Sequence, residues 1–185
     1  MAALLLVATS SSAFNVTDLQ RAMRHERNLR RANLLRADLH GANLSRANLS
    51  GAVLQEANLS NANLSGANLS GAYLNDTNFS GADLSGANFT SSAVGGTSFS
   101  GANLSRARIS HVDLALVNCT NANFTRATFD NVFLNGANLA TANLSGVRFH
   151  EVSCDSTTRW PPGFVPPRCR PNEGMGEGCE DCQAN

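Results

Sequence analysis

The chain has 185 residues, 42% of them hydrophobic and 15% charged, and its 14 basic and 14 acidic residues leave no formal net charge. All the basic residues are Arg, with no Lys. Neutrality excludes the net basic footprint that bulk nucleic-acid binding requires, and one repeat block over this length predicts a single domain.

Residues 1–14 open the chain with Met-Ala-Ala-Leu-Leu-Leu-Val-Ala, an apolar run that ends in small residues. This is the shape of a signal-peptide core and cleavage site, without a basic start. It is too short to span a membrane. Ser-Ser-Ala-Phe at 11–14 is similar to the Ala-Phe junction of plastid-directed presequences. The segment reads as a signal-like or presequence remnant, with an unprocessed N-terminus as the alternative.

Residues 15–26 predict a short helix. Thr17 and Gln20 fit a capping box, and Leu19, Ala22 and Met23 fall on one helical face. That face is expected to plug the first coil of the repeat block, because an open solenoid end exposes both core and strand edges.

From Arg27 to Ser156 a five-residue unit repeats 26 times in register. Its central position is apolar throughout, from Leu29, Leu34 and Leu39 to Phe149 and Cys154. Two residues earlier stands Ala in 17 units, and between them Asn or Asp in 17 units. Five residues turn a helix by about 500°, so no apolar stripe forms. On a straight strand an odd period sends alternate Leu to opposite faces. The pattern is satisfied by a chain that bends at every unit. The small and central residues then point inward, and Ser, Gly and Asn turn the corner. Such units bury their apolar residues only by stacking.

Ala-Asn-Leu-Ser-Gly at 67–71, Ala-Asp-Leu-Ser-Gly at 82–86 and Ala-Asn-Phe-Thr at 87–90 resemble the pentapeptide-repeat family. The resemblance covers about 70% of the chain. It implies an all-β fold, a right-handed quadrilateral β-helix with four units per coil. At ~4.8 Å between neighbouring strands, about six and a half coils make a rod roughly 30 Å long.

A 20-residue coil sorts the sequence into columns. Leu69, Phe89, Ile109, Phe129 and Phe149 share one inner face, and Leu59, Phe79, Phe99, Cys119 and Leu139 the opposite one. Outward Asn28, Asn48, Asn68 and Asn88 are positioned for a side-chain ladder. Arg36, Glu56 and Asp76 stack as a charged ladder. Arg46, Arg106 and Arg126 share a column, and Arg108 and Arg148 lie two residues along. Together these five predict a basic interaction corner, against the alternative of solvated charges. The stretch 91–99, Ser-Ser-Ala-Val-Gly-Gly-Thr-Ser-Phe, departs furthest from the repeat and is expected to be the softest coil.

Residues 157–185 form a C-terminal cap and tail. Thr158, Trp160, Pro161, Gly163, Phe164 and Pro166 resemble the closing segment of cyanobacterial and plastid lumenal-type repeat proteins. Trp160 and Phe164 are expected to lid the last coil. Cys119 sits at a central position and reads as a small buried hydrophobe. Cys154, Cys169, Cys179 and Cys182 are the disulfide candidates, with Cys154 and Cys169 able to close one loop. Free tail thiols and a zinc site on the same four remain alternatives.

No catalytic arrangement is legible. His25, His40, His111 and His150 share no column, there is no phosphate-binding glycine loop, and Ser fills turn slots. The Asn-x-Ser/Thr sequons, among them Asn43 and Asn48, arise from the repeat. No cofactor, metal site or membrane span is expected. The sequence predicts a non-catalytic scaffold for an unknown protein partner, as monomer or end-to-end dimer. The compartment expected is an exported one, such as the plastid or thylakoid lumen, with the cytoplasm as alternative. Two other functions are open. Some members of the resembled family mimic DNA and bind gyrase, which needs acidic columns; here acids are scattered at Asp38, Glu56, Asp76, Asp83, Asp113, Asp130, Glu151 and Asp155. A redox-responsive module through Cys179 and Cys182 is the second.

Overall fold

The computed structural model describes residues 14–170. The chain winds as a right-handed quadrilateral β-helix, in which residues pair in parallel with those 20 positions on. One side runs Asn28, Asn48, Asn68, Asn88 and Arg108 by such bridges, then continues through Thr128 to Arg148. A side is only one unit long, so most pairings are single bridges. Three longer strands, β1 (Arg108–Asp113), β2 (Thr128–Phe133) and β3 (Arg148–His150), make a parallel sheet in that order.

The unit explains its own sequence. At each corner the amide of the small residue donates to the carbonyl of the central residue before it, as Ala32 does to Leu29 at 3.1 Å. The residue two places after the central one takes positive φ, for example +64° at Gly41 and +57° at Asn61. This left-handed slot favours Gly and Asn. The outward Asn accepts from the amide two residues on, as Asn63 does from Ser65 at 3.0 Å, which braces the turn.

Inside, Leu and Phe columns alternate with Ala. Leu29, Leu34, Leu49 and Leu54 are fully buried, and each contributes roughly 1.5–3 kcal/mol against the entropy of ordering the coil. Where rings replace Leu they interlock. Phe79 and Phe99 stack with centroids 5.5 Å apart, and Phe89 meets each edge-on at 6.4 and 5.7 Å.

At the N-terminal end helix α1 (Val16–Met23) lies on the first coil. Its N-cap is Asn15, whose side chain accepts from the Thr17 and Asp18 amides. The Thr17–Gln20 capping box therefore does not form. Asn is among the strongest N-caps, and by occupying the position two residues ahead it draws Thr17 into the helix. Ala22 is buried and Leu19 packs partly against the core, but Met23 is 55% exposed, so the apolar face is narrower than expected. Polar groups do the rest. Asn15 donates its amide to the Asn33 carbonyl at 2.8 Å, and Asp18 Oδ2 accepts the Asn33 amide at 2.9 Å. Arg21 reaches the Asn28 carbonyl, and His25 Nδ1 lies 3.0 Å from the Asn43 carbonyl. These contacts satisfy strand-edge groups that no earlier coil can pair.

The stretch 91–99 keeps its coil. Thr97 is buried and donates its hydroxyl to the Leu74 carbonyl at 2.7 Å, and Ser92 Oγ donates to the Phe89 carbonyl at 2.9 Å. On one side, however, Ala93–Gly96 bonds back to Ala72, Leu74 and Asp76, while among the described residues no main-chain hydrogen bond joins it to 113–116.

The coil path does not stop at Ser156. Asn138 pairs with Arg159, 21 rather than 20 residues on. Thr158 takes the small inward slot and donates to the Leu134 carbonyl at 2.9 Å, as Thr77 does to Leu54. Trp160 then comes at the central position. It stacks on Phe164 at 5.4 Å, and both rings meet Phe149, at 6.0 and 6.2 Å. Cys154 and Cys169 are joined as a disulfide with Cα atoms 5.3 Å apart. Next to it Arg170 bridges Ser153 and pairs with Glu151.

Candidate interaction surface

Every outward column is set by the coil, so the surface is read one side at a time. Two sides are amide-covered. Asn58 donates to Asp38 and Asn78 to Asn58 at 3.1 and 3.4 Å. Asn103 donates to Asp83 and Asn123 to Asn103 at 3.1 and 3.2 Å. In the Asn28 column the corresponding bond runs from Asn88 to Asn68 at 3.3 Å. These amides spend their donors on one another along the rod.

The basic corner is smaller than its sequence columns. Arg106 and Arg126 occupy the left-handed slot of successive coils, each with φ +60°. Arg108 opens β1, pairs with Thr128, and Thr128 pairs with Arg148. These four meet along one edge, all exposed or half-buried. Arg46 stands apart: Gly66 and Gly86 fill the two slots between it and Arg106, so it lies three coils away. Among the described residues none of the five arginines pairs with an acid.

Beside this edge the coil stacks three residues of different type. Asp130 Oδ1 lies 2.8 Å from His150 Nδ1, and Asp130 Oδ2 accepts from Ser110 Oγ at 3.1 Å. His111 Nδ1 lies 2.9 Å from the same Ser110 oxygen. The His150 hydrogen bond, then that from Ser110, holds the Asp130 carboxyl below its ordinary range. The column escapes a search for shared His positions because it holds one His, one Asp and one Ser; their spacing of 20 is the signal. The order is wrong for nucleophilic catalysis. Ser110 gives its proton to the carboxylate, and the carboxylate orients His150 rather than the imidazole beside Ser110. Ser110 is also fully buried within β1, not in an exposed turn.

A further side carries apolar residues that the repeat does not call for. Val53, Tyr73 and Ala93 share a column with Phe133. Tyr73 is 53% exposed, Phe133 41%, and Leu116 at the neighbouring corner 82%. Leu116 holds φ +61° there, a conformation unfavourable for Leu. Beneath the interrupted rung of this side is a void of about 10 Å³ lined by Phe89, Val94, Phe99 and Val112. Its lining is apolar, and its size is far below that of a ligand pocket.

Of the expected charged ladder, Arg36 and Glu56 join through two hydrogen bonds of 2.8 and 2.9 Å. The Arg36 hydrogen bond lowers the Glu56 carboxyl below its ordinary range. Asp76 lies a coil further and takes no part. Cys119 is buried, and burial pushes its thiol up to about 12. Among the described residues no group of His, Cys, Asp and Glu is arranged to hold a metal ion. Cys179 and Cys182 lie outside the described residues, as do 1–13.

The family model for pentapeptide repeats matches in 8 copies over residues 25–55, 52–90, 82–118 and 118–153. A comparison with curated proteins gives no match. Among solved structures, the chain is similar to a pentapeptide repeat protein from the Arabidopsis thaliana thylakoid lumen, at 30% identity and TM-score 0.48 over 49% of this chain and 63% of that one. It thus spans less than two thirds of that relative's length. It is also similar to the pentapeptide repeat protein Rfr23 of the cyanobacterium Cyanothece 51142, at 25% identity, TM-score 0.38, over 78% of this chain and 97% of that one. QnrB1, a plasmid-mediated fluoroquinolone resistance protein, matches at 16% identity, TM-score 0.37, over 67% and 82%.

Proposed function

This chain belongs to the pentapeptide-repeat family, and we propose that it acts as a non-catalytic protein-interaction scaffold whose contact surface is the basic edge of Arg106, Arg108, Arg126 and Arg148. One observation carries the reading: four guanidinium groups stand within a few strand spacings on a main-chain frame, and no described acid pairs with them. Guanidinium groups bind carboxylates through two parallel hydrogen bonds. The partner is therefore an acidic protein surface. The same feature counts against a DNA-mimic role, which requires acid where this rod carries Arg.

The compartment proposed is an exported, oxidising one, supported by the Cys154–Cys169 disulfide. No described helix is long and apolar enough to cross a membrane. The test is proximity labelling in the native cell with the wild-type chain and a variant carrying Arg106→Gln, Arg108→Gln, Arg126→Gln and Arg148→Gln. A set of acidic neighbours labelled by the first and lost from the second is expected. An identical set for both sinks the reading. Protection of gyrase supercoiling by the purified chain would replace it with the DNA-mimic role.

A further inference from the structure

The charge neutrality of this protein is the sum of two unlike parts. Residues 14–170 hold all 14 arginines but only 10 of the 14 acids. The other four, Glu173, Glu177, Glu180 and Asp181, fall within the last 15 residues, which contain no basic residue. The body is thus positive by four charges and the C-terminal segment negative by four, before its terminal carboxylate is counted.

The positive excess is concentrated. Along the edge from Arg106 to Arg148 stand four guanidinium groups, and the titratable groups facing them are His111, His150 and Asp130, of which Asp130 is held by His150 and Ser110. Glu151, the next acid along that side, is taken by Arg170. The edge therefore has no acid of the described chain left to neutralise it.

The segment leaves the rod beside this edge. Arg170, the last described residue, is bridged to Ser153 and paired with Glu151. Glu151 comes directly after His150 and lies three residues after Arg148. An extended chain covers at most ~3.3–3.6 Å per residue, so the segment reaches about 50 Å. The edge from Arg148 back to Arg106 crosses little more than two coils, on the order of 10 Å. Length, exit point and charge agree on one occupant.

We propose that the carboxylates of Glu173, Glu177, Glu180 and Asp181 dock on the guanidinium groups of Arg106, Arg108, Arg126 and Arg148 of the same chain, so that the C-terminal segment covers the basic edge until an acidic partner displaces it. This rests on the reading of that edge as a carboxylate-binding surface. It adds a competitor built into the chain and makes partner binding a replacement of one set of carboxylates by another.

The experiment uses the purified full-length chain. Arginine modification by phenylglyoxal is followed residue by residue by mass spectrometry. The wild type is compared with a variant carrying Glu173→Gln, Glu177→Gln, Glu180→Gln and Asp181→Asn. Arg46 is the internal control, since it occupies the same corner slot as Arg106 and Arg126 but lies three coils away. Expected is an increase of about threefold or more in the modification rate at Arg106, Arg108, Arg126 and Arg148 in the variant, with Arg46 unchanged. Raising salt from about 0.02 to about 0.5 M should reproduce the increase in the wild type alone. Equal rates in the two chains at low salt overturn the proposal, as does an Arg46 response as large as the others. Protection that grows with protein concentration overturns it too, by assigning the contact to a second copy. Failure here leaves the cell-labelling comparison of the arginine variant intact, so the two readings fail separately.

Discussion

Leu116 lies over Gly136, one coil further on: a Cβ placed on Gly136 would stand 2.6 Å from Leu116 Cδ2. Gly136 also holds φ +67°. Both reasons act together at this corner, whereas Gly41 holds φ +64° with open space around it. Gly136→Ala should cost about 2 kcal/mol and Gly41→Ala about 1 kcal/mol, the backbone term alone. Urea unfolding of the two variants checks this, and equal losses would remove the role given to Leu116.

The same leucine gives a prediction of opposite sign. It is exposed and sits in a left-handed slot that Asn occupies at 61, 121 and 131. Leu116→Asn should raise stability by about 1 kcal/mol. A loss of stability would mean that the side chain's contact across Gly136 outweighs its backbone cost.

Acid should loosen the C-terminal end first. Asp155 is held down to about 2, chiefly by the Thr157 hydroxyl, with Asn135 and the amides of Thr157 and Gly136 adding to it. A carboxyl whose folded value is depressed contributes fully above its unfolded value, near ~4. That contribution is lost as pH falls toward about 2. Thermal unfolding between about pH 5 and pH 2 should show a steeper loss of Tm in wild type than in Asp155→Asn. Parallel curves would show that Asp155 has no part in acid sensitivity.

Columns 20 residues apart were legible, because the repeat is commensurate with the coil and period alone sends Leu and Ala inward. The contacts of α1 were not. That Asp18 and His25 satisfy the edges of Asn33 and Asn43 depends on where the helix rests, and no local pattern states this. The Ser110–Asp130–His150 stack was written in the spacing yet hidden by residue type. The extra residue before Thr158 was hidden differently: Ser-Thr-Thr offers three similar hydroxyls, and only the Leu134 carbonyl decides which one turns inward. Of the basic corner, membership of the column was legible, but Gly66 and Gly86 set Arg46 apart.

The thiols should separate into two behaviours. Replacing Cys154 and Cys169 by Ser opens a loop of 15 residues and should lower stability by about 3 kcal/mol; reduction of the wild type should do the same. Cys119 should stay unreactive in the folded protein at neutral pH, since burial pushes its thiol up to about 12. Thiol titration with and without denaturant tests both, and rapid native labelling of Cys119 would contradict its burial.

Deleting 157–185 removes Trp160 and Phe164 from Phe149 together with the disulfide partner of Cys154. The uncovered coil should then associate end to end. Light scattering of the shortened chain reads this directly, and an unchanged monomer with an intact β-type circular dichroism spectrum would deny these rings the role of a lid.

The spacing of 20 also limits how this molecule can change its length. Removing one whole coil, for instance 47–66, would shorten the rod while every later residue keeps its compass direction. Removing a single unit of five would turn everything after it by a quarter, swinging Arg106 and Arg126 onto a different side from Tyr73 and splitting each Asn column in two. The extra residue that puts Asn138 opposite Arg159 comes where almost nothing remains downstream to be misaimed. Growth by fours of units is therefore the route that preserves surface geography, and an insertion of any other size redraws the map.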